Sequence, residues 1–327
     1  MKLDEEIETR LRDLSKPDAV RLLKIESMSD IELARAQNAD RTRMTLARTD
    51  RTGVNTETLS IEVSDGTYLD LRMHRPALVD EGTKRPCLYF LHSGGMIAGT
   101  PEGDDEFLVR VTREMDCVTT SLAYRLAPEH PAPVGAGDCY DGLMWVMSNA
   151  NALGIDPTAI AVGGSSAGGG LAASCALAAV RGGIRPRFLL LRYPQLDDRH
   201  LSPSSQVSWP VWPHAVSVGA WKAVLGFRFG TDAVTPLEAP GRATQLNGMP
   251  STFIDVGAMD TFRDDCIAFA SRLLASDVPT ELHVYPGCCH GFDVIAPDAA
   301  LSVAARERAV AALGRAWRKD DGRGGDR

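Results

Sequence analysis

The chain has 327 residues, 44% hydrophobic and 24% charged, the balance of an ordinary globular protein with one large α/β domain or two smaller ones. Its net charge of −8 disfavours nucleic-acid binding, and it contains no run of about 18 apolar residues to span a membrane. Seven cysteines without paired spacing fit a reducing compartment, and residues 1–12, rich in Lys, Asp and Glu, do not resemble a signal peptide; a cytoplasmic location is expected.

Residues 1–50 carry apolar side chains at helical spacing, Ile7, Leu11 and Leu14, then Val20 and Leu23, then Ile31 and Leu33. Ser29 or Asp30 is expected to cap the last of these segments. The block has no catalytic pattern and reads as a packing or lid element. From Leu59 the character changes. Residues 59–63 and 68–74 alternate apolar and polar around Asp65-Gly66, the pattern of a β-hairpin.

Short, nearly continuous apolar runs follow at 87–91, 117–123, 159–162 and 188–191, as expected of parallel strands buried on both faces. Helical stretches at 106–115, 138–149 and 169–180 alternate with them, which predicts a mostly parallel sheet covered on both sides. The alternation stops after Tyr193-Pro194. Residues 196–249 show no clear strand, hold Trp209, Trp212 and Trp221, and are too long for a connecting loop, so a structured insertion is expected. Strand and helix resume at 252–256, 264–274, 281–285 and 299–317. The tail 319–327, mostly Gly, Asp and Arg, is expected to be disordered.

One junction stands out in this order. The apolar run Ala159-Ile160-Ala161-Val162 enters Gly163-Gly164-Ser165-Ser166-Ala167-Gly168-Gly169-Gly170 and then an alanine-rich helix. Gly164-Ser165-Ser166-Ala167-Gly168 is a G-x-S-x-G pattern, which composition alone would produce roughly 0.2 times in such a chain. The strand before and the helix after are what give it weight. In a nucleophile elbow the serine sits on a strained turn, with glycines where no Cβ fits. Ser165 lacks the second glycine, so Ser166 is the candidate nucleophile.

A serine needs a base, and the base an orienting acid. Of the histidines downstream, His200 and His214 fall in the insertion and His283 within a strand. His290 follows that strand in Pro286-Gly287-Cys288-Cys289-His290-Gly291, the place for a base. Asp255 lies inside a strand, whereas Asp260 follows it. Asp264 and Asp265 open a helix, where acids commonly answer the dipole. Asp260 therefore leads and Asp264 is the alternative. Oxyanion donors are expected from Ala167, directly after the serine, and from Gly94 and Gly95 in Leu91-His92-Ser93-Gly94-Gly95-Met96. His92 reads as a brace for that loop, and Arg125 as a partner of Glu129 or Asp138. Trp209 and Trp212 either hold the insertion to the core or wall a substrate pocket. Cys288 and Cys289 read as two small buried residues, a vicinal disulfide being the alternative.

Three motifs now carry a resemblance: His92-Ser93-Gly94-Gly95, Gly164-Ser165-Ser166-Ala167-Gly168-Gly169, and Tyr124-Arg125-Leu126-Ala127-Pro128-Glu129 with Pro131-Ala132 and Asp138. Over about residues 60–315 the chain resembles the hormone-sensitive-lipase-like family of α/β-hydrolases, the bacterial family IV esterases. The resemblance implies an α/β-hydrolase core over 51–195 and 250–318, with residues 1–50 and 196–249 forming a cap. It implies a serine carboxylesterase acting on short- to medium-chain esters, lactones included. The triad carries over onto Ser166, Asp260 and His290, and the oxyanion amides onto Gly94, Gly95 and Ala167; the resemblance also suggests dimers. Ser93 stands where the family has a glycine, and Thr261-Phe262 where it has Pro-Leu. No cofactor is expected, and the absence of His-x-x-x-His or paired Cys/His spacing argues against a zinc hydrolase. A ligand-binding protein or a lyase on the same scaffold is the alternative; keeping all three triad candidates favours the hydrolase.

Overall fold

Alternation along the central strands decides which core each side chain enters. In β3 (Arg85–Leu91), Cys87, Tyr89 and Leu91 face one side of the sheet, while Leu88 and Phe90 face the other. The first set meets Cys139 and Leu143 of α4 (Val134–Asn149) and Leu171 of α5 (Ala167–Arg181). The second meets Phe107 and Leu108 of α3 (Asp105–Met115) and Val310 and Leu313 of α9 (Ala300–Trp317). The same split recurs in β6 (Phe188–Arg192), where Leu189 and Leu191 oppose Phe188 and Leu190. This is the signature of a sheet covered on both faces.

The computed structural model describes residues 1–14, 24–78 and 82–318. Val20, Leu23 and the tail 319–327, all read above from the sequence, lie outside the described residues. The other strands are β1 (Val54–Glu62), β2 (Tyr68–Pro76), β4 (Val118–Leu122), β5 (Ile155–Ser165), β7 (Thr252–Met259) and β8 (Thr280–Cys289). They form one 8-stranded sheet in the order β1-β2-β4-β3-β5-β6-β7-β8. β2 is antiparallel to both its neighbours, and from β4 onward every pairing is parallel. The hairpin turns at Asp65-Gly66, where Gly66 takes φ +83°.

Several strands outrun their apolar stretches, β1 and β8 among them. β1 begins at Val54 because its ladder with β2 runs from Val54↔Pro76 to Glu62↔Tyr68, and an edge strand tolerates polar residues. β8 runs on to Cys289, paired with Met259, so His290 follows the strand directly. The cap of α2 (Met28–Arg48) differs from expectation. Ser27, not Ser29 or Asp30, is the N-cap: its hydroxyl accepts from the Asp30 N–H, and the Asp30 carboxylate accepts from the Ser27 N–H at 3.0 Å. Asp30 thus occupies the third helical position of a capping box.

Arg125 resolves the most distinctive motif. Its guanidinium binds Asp138 at 2.6 Å and Asp65 at 2.8 Å, tying the exit of β4 to α4 and to the β1–β2 turn. Glu129 instead accepts from Arg35 of α2 at 2.7 Å. Between β6 and β7 the described chain has no strand; it carries α6 (His214–Leu225) and short turns such as Ser204–Gln206. α6 meets both the core and the N-terminal block. The Ala132 N–H donates to Val224 O at 2.9 Å, and a Cβ on Gly219 would stand 2.2 Å from Ile25 O. At the other end, α1 (Glu5–Leu14) sets Ile7 among Tyr285, Cys288, Cys289 and Phe292. Cys288 and Cys289 are buried free thiols, each pushed up to about 12 by burial. No described helix is long and apolar enough to cross a membrane.

Candidate active site

β5 and α5 meet at Ser166, whose φ of +55° and ψ of −119° place a non-glycine residue in strained backbone. The surroundings hold it there. Its N–H donates to Arg192 O at 2.9 Å, and its carbonyl accepts from Gln195 N–H at 2.9 Å and Gly170 N–H at 3.1 Å. A Cβ on Gly164 would lie 2.1 Å from Gly168 O, and one on Gly168 would lie 1.9 Å from Leu91 O. Both glycines of the motif are therefore required by close approach of backbone to backbone.

The hydroxyl that this turn presents meets His290. Nε2 of His290 lies 2.8 Å from Ser166 Oγ, and Nδ1 lies 2.8 Å from Asp260 Oδ2. Facing Asp260 Oδ2, Nδ1 is assigned the proton by the hydrogen-bond network, which leaves Nε2 as acceptor for the serine hydroxyl. Asp260 is wholly buried, and its Oδ1 accepts the Phe262 N–H at 2.9 Å. Asp264, the alternative acid, accepts the Ser204 N–H at 2.8 Å and pairs with Arg263, so it ties the insertion to α7 (Arg263–Ala275).

Residues that sequence reasoning passed over hold the imidazole. Tyr193 and Phe262 both present ring edges to it, at centroid distances of 5.1 Å. Tyr193 donates its hydroxyl to Asp293 Oδ1 at 2.9 Å, and the buried Arg192 binds Asp293 at 2.8 Å and Asp255 at 3.1 Å. One guanidinium facing two carboxylates keeps this buried group supplied with partners. Asp293 lies in α8 (Phe292–Ile295), three residues past His290, so the network also pins the loop that carries the base. Only the polar Arg192 at the end of an otherwise apolar strand hinted at it.

Across the site, Gly94 and Gly95 take φ of +127° and +67°. A Cβ on Gly94 would fall 2.0 Å from Ala98 O, and one on Gly95 would fall 2.7 Å from the Trp212 ring. The amides of Gly94, Gly95 and Ala167 have no backbone acceptor among the described residues. His92 braces this loop: Nδ1 donates to Ser93 O at 2.8 Å, its ring stacks on Tyr124 at 4.1 Å, and its carbonyl accepts the Tyr124 hydroxyl. Burial pushes His92 down to about 4, which keeps it neutral.

Ser166, His290, Gly94 and Trp212 line one cavity of about 660 Å³ including its mouth, together with Asn38 and Arg41 from α2. Trp209 is not on that lining. Its expected place at the substrate is corrected: the indole N–H donates to Ser204 O at 3.0 Å, which holds the ring within the insertion. Trp221 is fully buried.

Asp104 is a further hidden feature. Its Oδ1 accepts the Ser165 hydroxyl at 3.1 Å, and its Oδ2 is buried. Burial raises it from 3.8 to about 7. Between those values the folded state holds a proton that the unfolded chain has released, so this group lowers stability as pH rises through the window. Asp104→Asn should keep the bond from Ser165 and remove that dependence. Melting curves should show the variant's Tm gain over wild type smallest near about pH 4 and largest above about pH 7. A gain independent of pH would contradict the assignment.

Geometry and fold together define the class: the chain belongs to the hormone-sensitive-lipase-like α/β-hydrolases, residues 88–294 matching a family model described as the α/β hydrolase fold. It is 35% identical over 256 residues to the carboxylesterase NlhH of Mycobacterium tuberculosis, covering 76% of this chain and 79% of that one. It is 29% identical over 236 residues to an ethyl acetate hydrolase of Pseudomonas putida, covering 72% and 74%. Among solved structures, a bacterial heroin esterase superposes with a TM-score of 0.89 at 35% identity, covering 97% of this chain and 99% of that one.

Proposed function

We propose that this protein is a serine carboxylesterase that hydrolyses short- to medium-chain esters of small molecules. The observation that carries the reading is the unbroken line of hydrogen bonds from Ser166 Oγ through His290 to Asp260, both 2.8 Å, on a strained strand-to-helix turn. In the proposed route Ser166 Oγ attacks the ester carbonyl carbon as its proton passes to His290 Nε2. The carbonyl oxygen becomes an oxyanion that the Gly94, Gly95 and Ala167 amides receive. Asp260 stabilises the imidazolium, which then protonates the departing alcohol. An acyl-enzyme remains at Ser166, and water activated by the same imidazole releases the acid. A ligand-binding role would not need this complete proton relay. The α2 and α6 blocks over the site support reading 1–50 and 196–249 as a cap, and seven free buried thiols support a reducing, cytoplasmic setting.

The test is a panel of p-nitrophenyl esters. Each methylene buried before the Trp212 wall contributes about 0.8 kcal/mol, or about fourfold in kcat/KM. The rate should rise from acetyl to butyryl or hexanoyl and then fall, with triglyceride emulsions poor substrates. Trp212→Ala should move the optimum to longer chains, whereas Trp209→Ala should leave the profile in place. No turnover of any ester by the wild type would refute the function, and an optimum at long chains would refute the short pocket.

A further inference from the structure

The helix that roofs the cavity carries four arginines, Arg35, Arg41, Arg43 and Arg48. Three have acidic partners: Arg35 pairs with Glu129, Arg43 with Asp40, and Arg48 with Glu106. Among the described residues Arg41 has none, and it is the one that lines the cavity with Ser166 and His290. No carboxylate is among that cavity's lining residues. The acids on the adjoining turn are engaged elsewhere, since Glu102 faces Arg72 and Asp104 accepts from Ser165. The Arg41 side chain is exposed on the cavity wall, and desolvation there lowers its pKa. A guanidinium stays charged in such a place, and its five donors are left to solvent or to a ligand.

We infer that Arg41 receives an anionic group, a carboxylate above all, on the ester this enzyme hydrolyses, so that it prefers esters of dicarboxylic or hydroxycarboxylic acids over uncharged ones. A planar carboxylate suits the guanidinium fork, and the rest of the cavity offers it no repulsion. An uncompensated cation on the wall of the cavity that holds the reacting serine is matched by an anionic group and gains nothing from an apolar ester. The inference rests on the esterase reading and adds the charge of the substrate to it.

Matched substrate pairs test it. On the acyl side p-nitrophenyl hydrogen adipate is compared with p-nitrophenyl hexanoate, and on the alcohol side 4-(butyryloxy)benzoate with its methyl ester. Wild type should prefer the anionic member in kcat/KM by about tenfold or more in at least one pair, as a charge-assisted bond made in a partly desolvated site requires. The pair that shows the preference tells which side of the ester carries the anion. Arg41→Gln should lower that ratio by about tenfold, and Arg41→Glu should bring it below one, with added salt weakening the wild-type preference. Because each result is a ratio within one variant, general damage to folding cancels. A wild-type ratio near one in both pairs, or a ratio unmoved by Arg41→Gln, overturns the inference while turnover of the neutral esters keeps the esterase reading intact. Failure of the wild type on all four esters would overturn both.

Discussion

Replacing Ser166 with alanine is expected to remove ester hydrolysis while leaving the thermal transition almost unchanged. Among the described residues the hydroxyl bonds only to His290, and the backbone bonds to Arg192, Gln195 and Gly170 that hold the turn do not involve it. Deleting one oxygen there should alter stability little, because His290 lines the cavity and water can take the hydroxyl's place at Nε2. Turnover depends on it wholly, because without the nucleophile no acyl-enzyme forms. A loss of about 10⁶ in kcat is the scale for a nucleophile acting as a unit with its base. Steady-state rates on p-nitrophenyl butyrate with a melting curve on the same sample check this. Retained activity, or a collapsed Tm, would contradict the assignment.

Asp260→Asn should cost about 10⁴ in kcat, and the geometry supplies the reason. Asp260 uses one oxygen for the Phe262 N–H and the other for His290 Nδ1. An asparagine there has a single oxygen. If Phe262 keeps it, the amide NH₂ faces Nδ1, and the imidazole must carry its proton on Nε2, where it cannot accept from Ser166. Asp264→Asn should change kcat by less than about tenfold, since that carboxylate touches Ser204 and Arg263 and not the imidazole. Its effect belongs to the seating of the insertion. Equal losses in the two variants would show that Asp260 acts structurally.

Much of this architecture is legible in the sequence because the governing signals are local. Strand β3 reads as Cys87-Leu88-Tyr89-Phe90-Leu91, and the elbow announces itself by glycines that only backbone contact requires. Chain order singles out Ser166, Asp260 and His290, and the fold sets His290 within hydrogen-bond distance of the other two. What stays hidden depends on long-range neighbours. Arg125 has two plausible acids nearby in sequence, yet takes Asp138 and, from 60 residues away, Asp65, while Glu129 goes to Arg35. Arg192 reads as the end of a strand until Asp255 and Asp293 close around it. Trp209 and Trp212 are indistinguishable as letters; one ring turns onto Ser204 and the other onto Gly95. Arg41 lies in a helix without any catalytic pattern, and only its place on the cavity separates it from the paired arginines around it.

Activation of Ser166 by His290 at the β5–α5 turn is open to direct measurement. A fluorophosphonate probe, which reacts with serines whose hydroxyl is already paired with a base, reads this out residue by residue after digestion and mass spectrometry. One labelled peptide is expected, with the phosphonate on Ser166, and labelling should be lost in His290→Ala because the hydroxyl then has no proton acceptor. Label on Ser165, which gives its proton to Asp104, or turnover of esters by a protein that takes no label at Ser166, would contradict it.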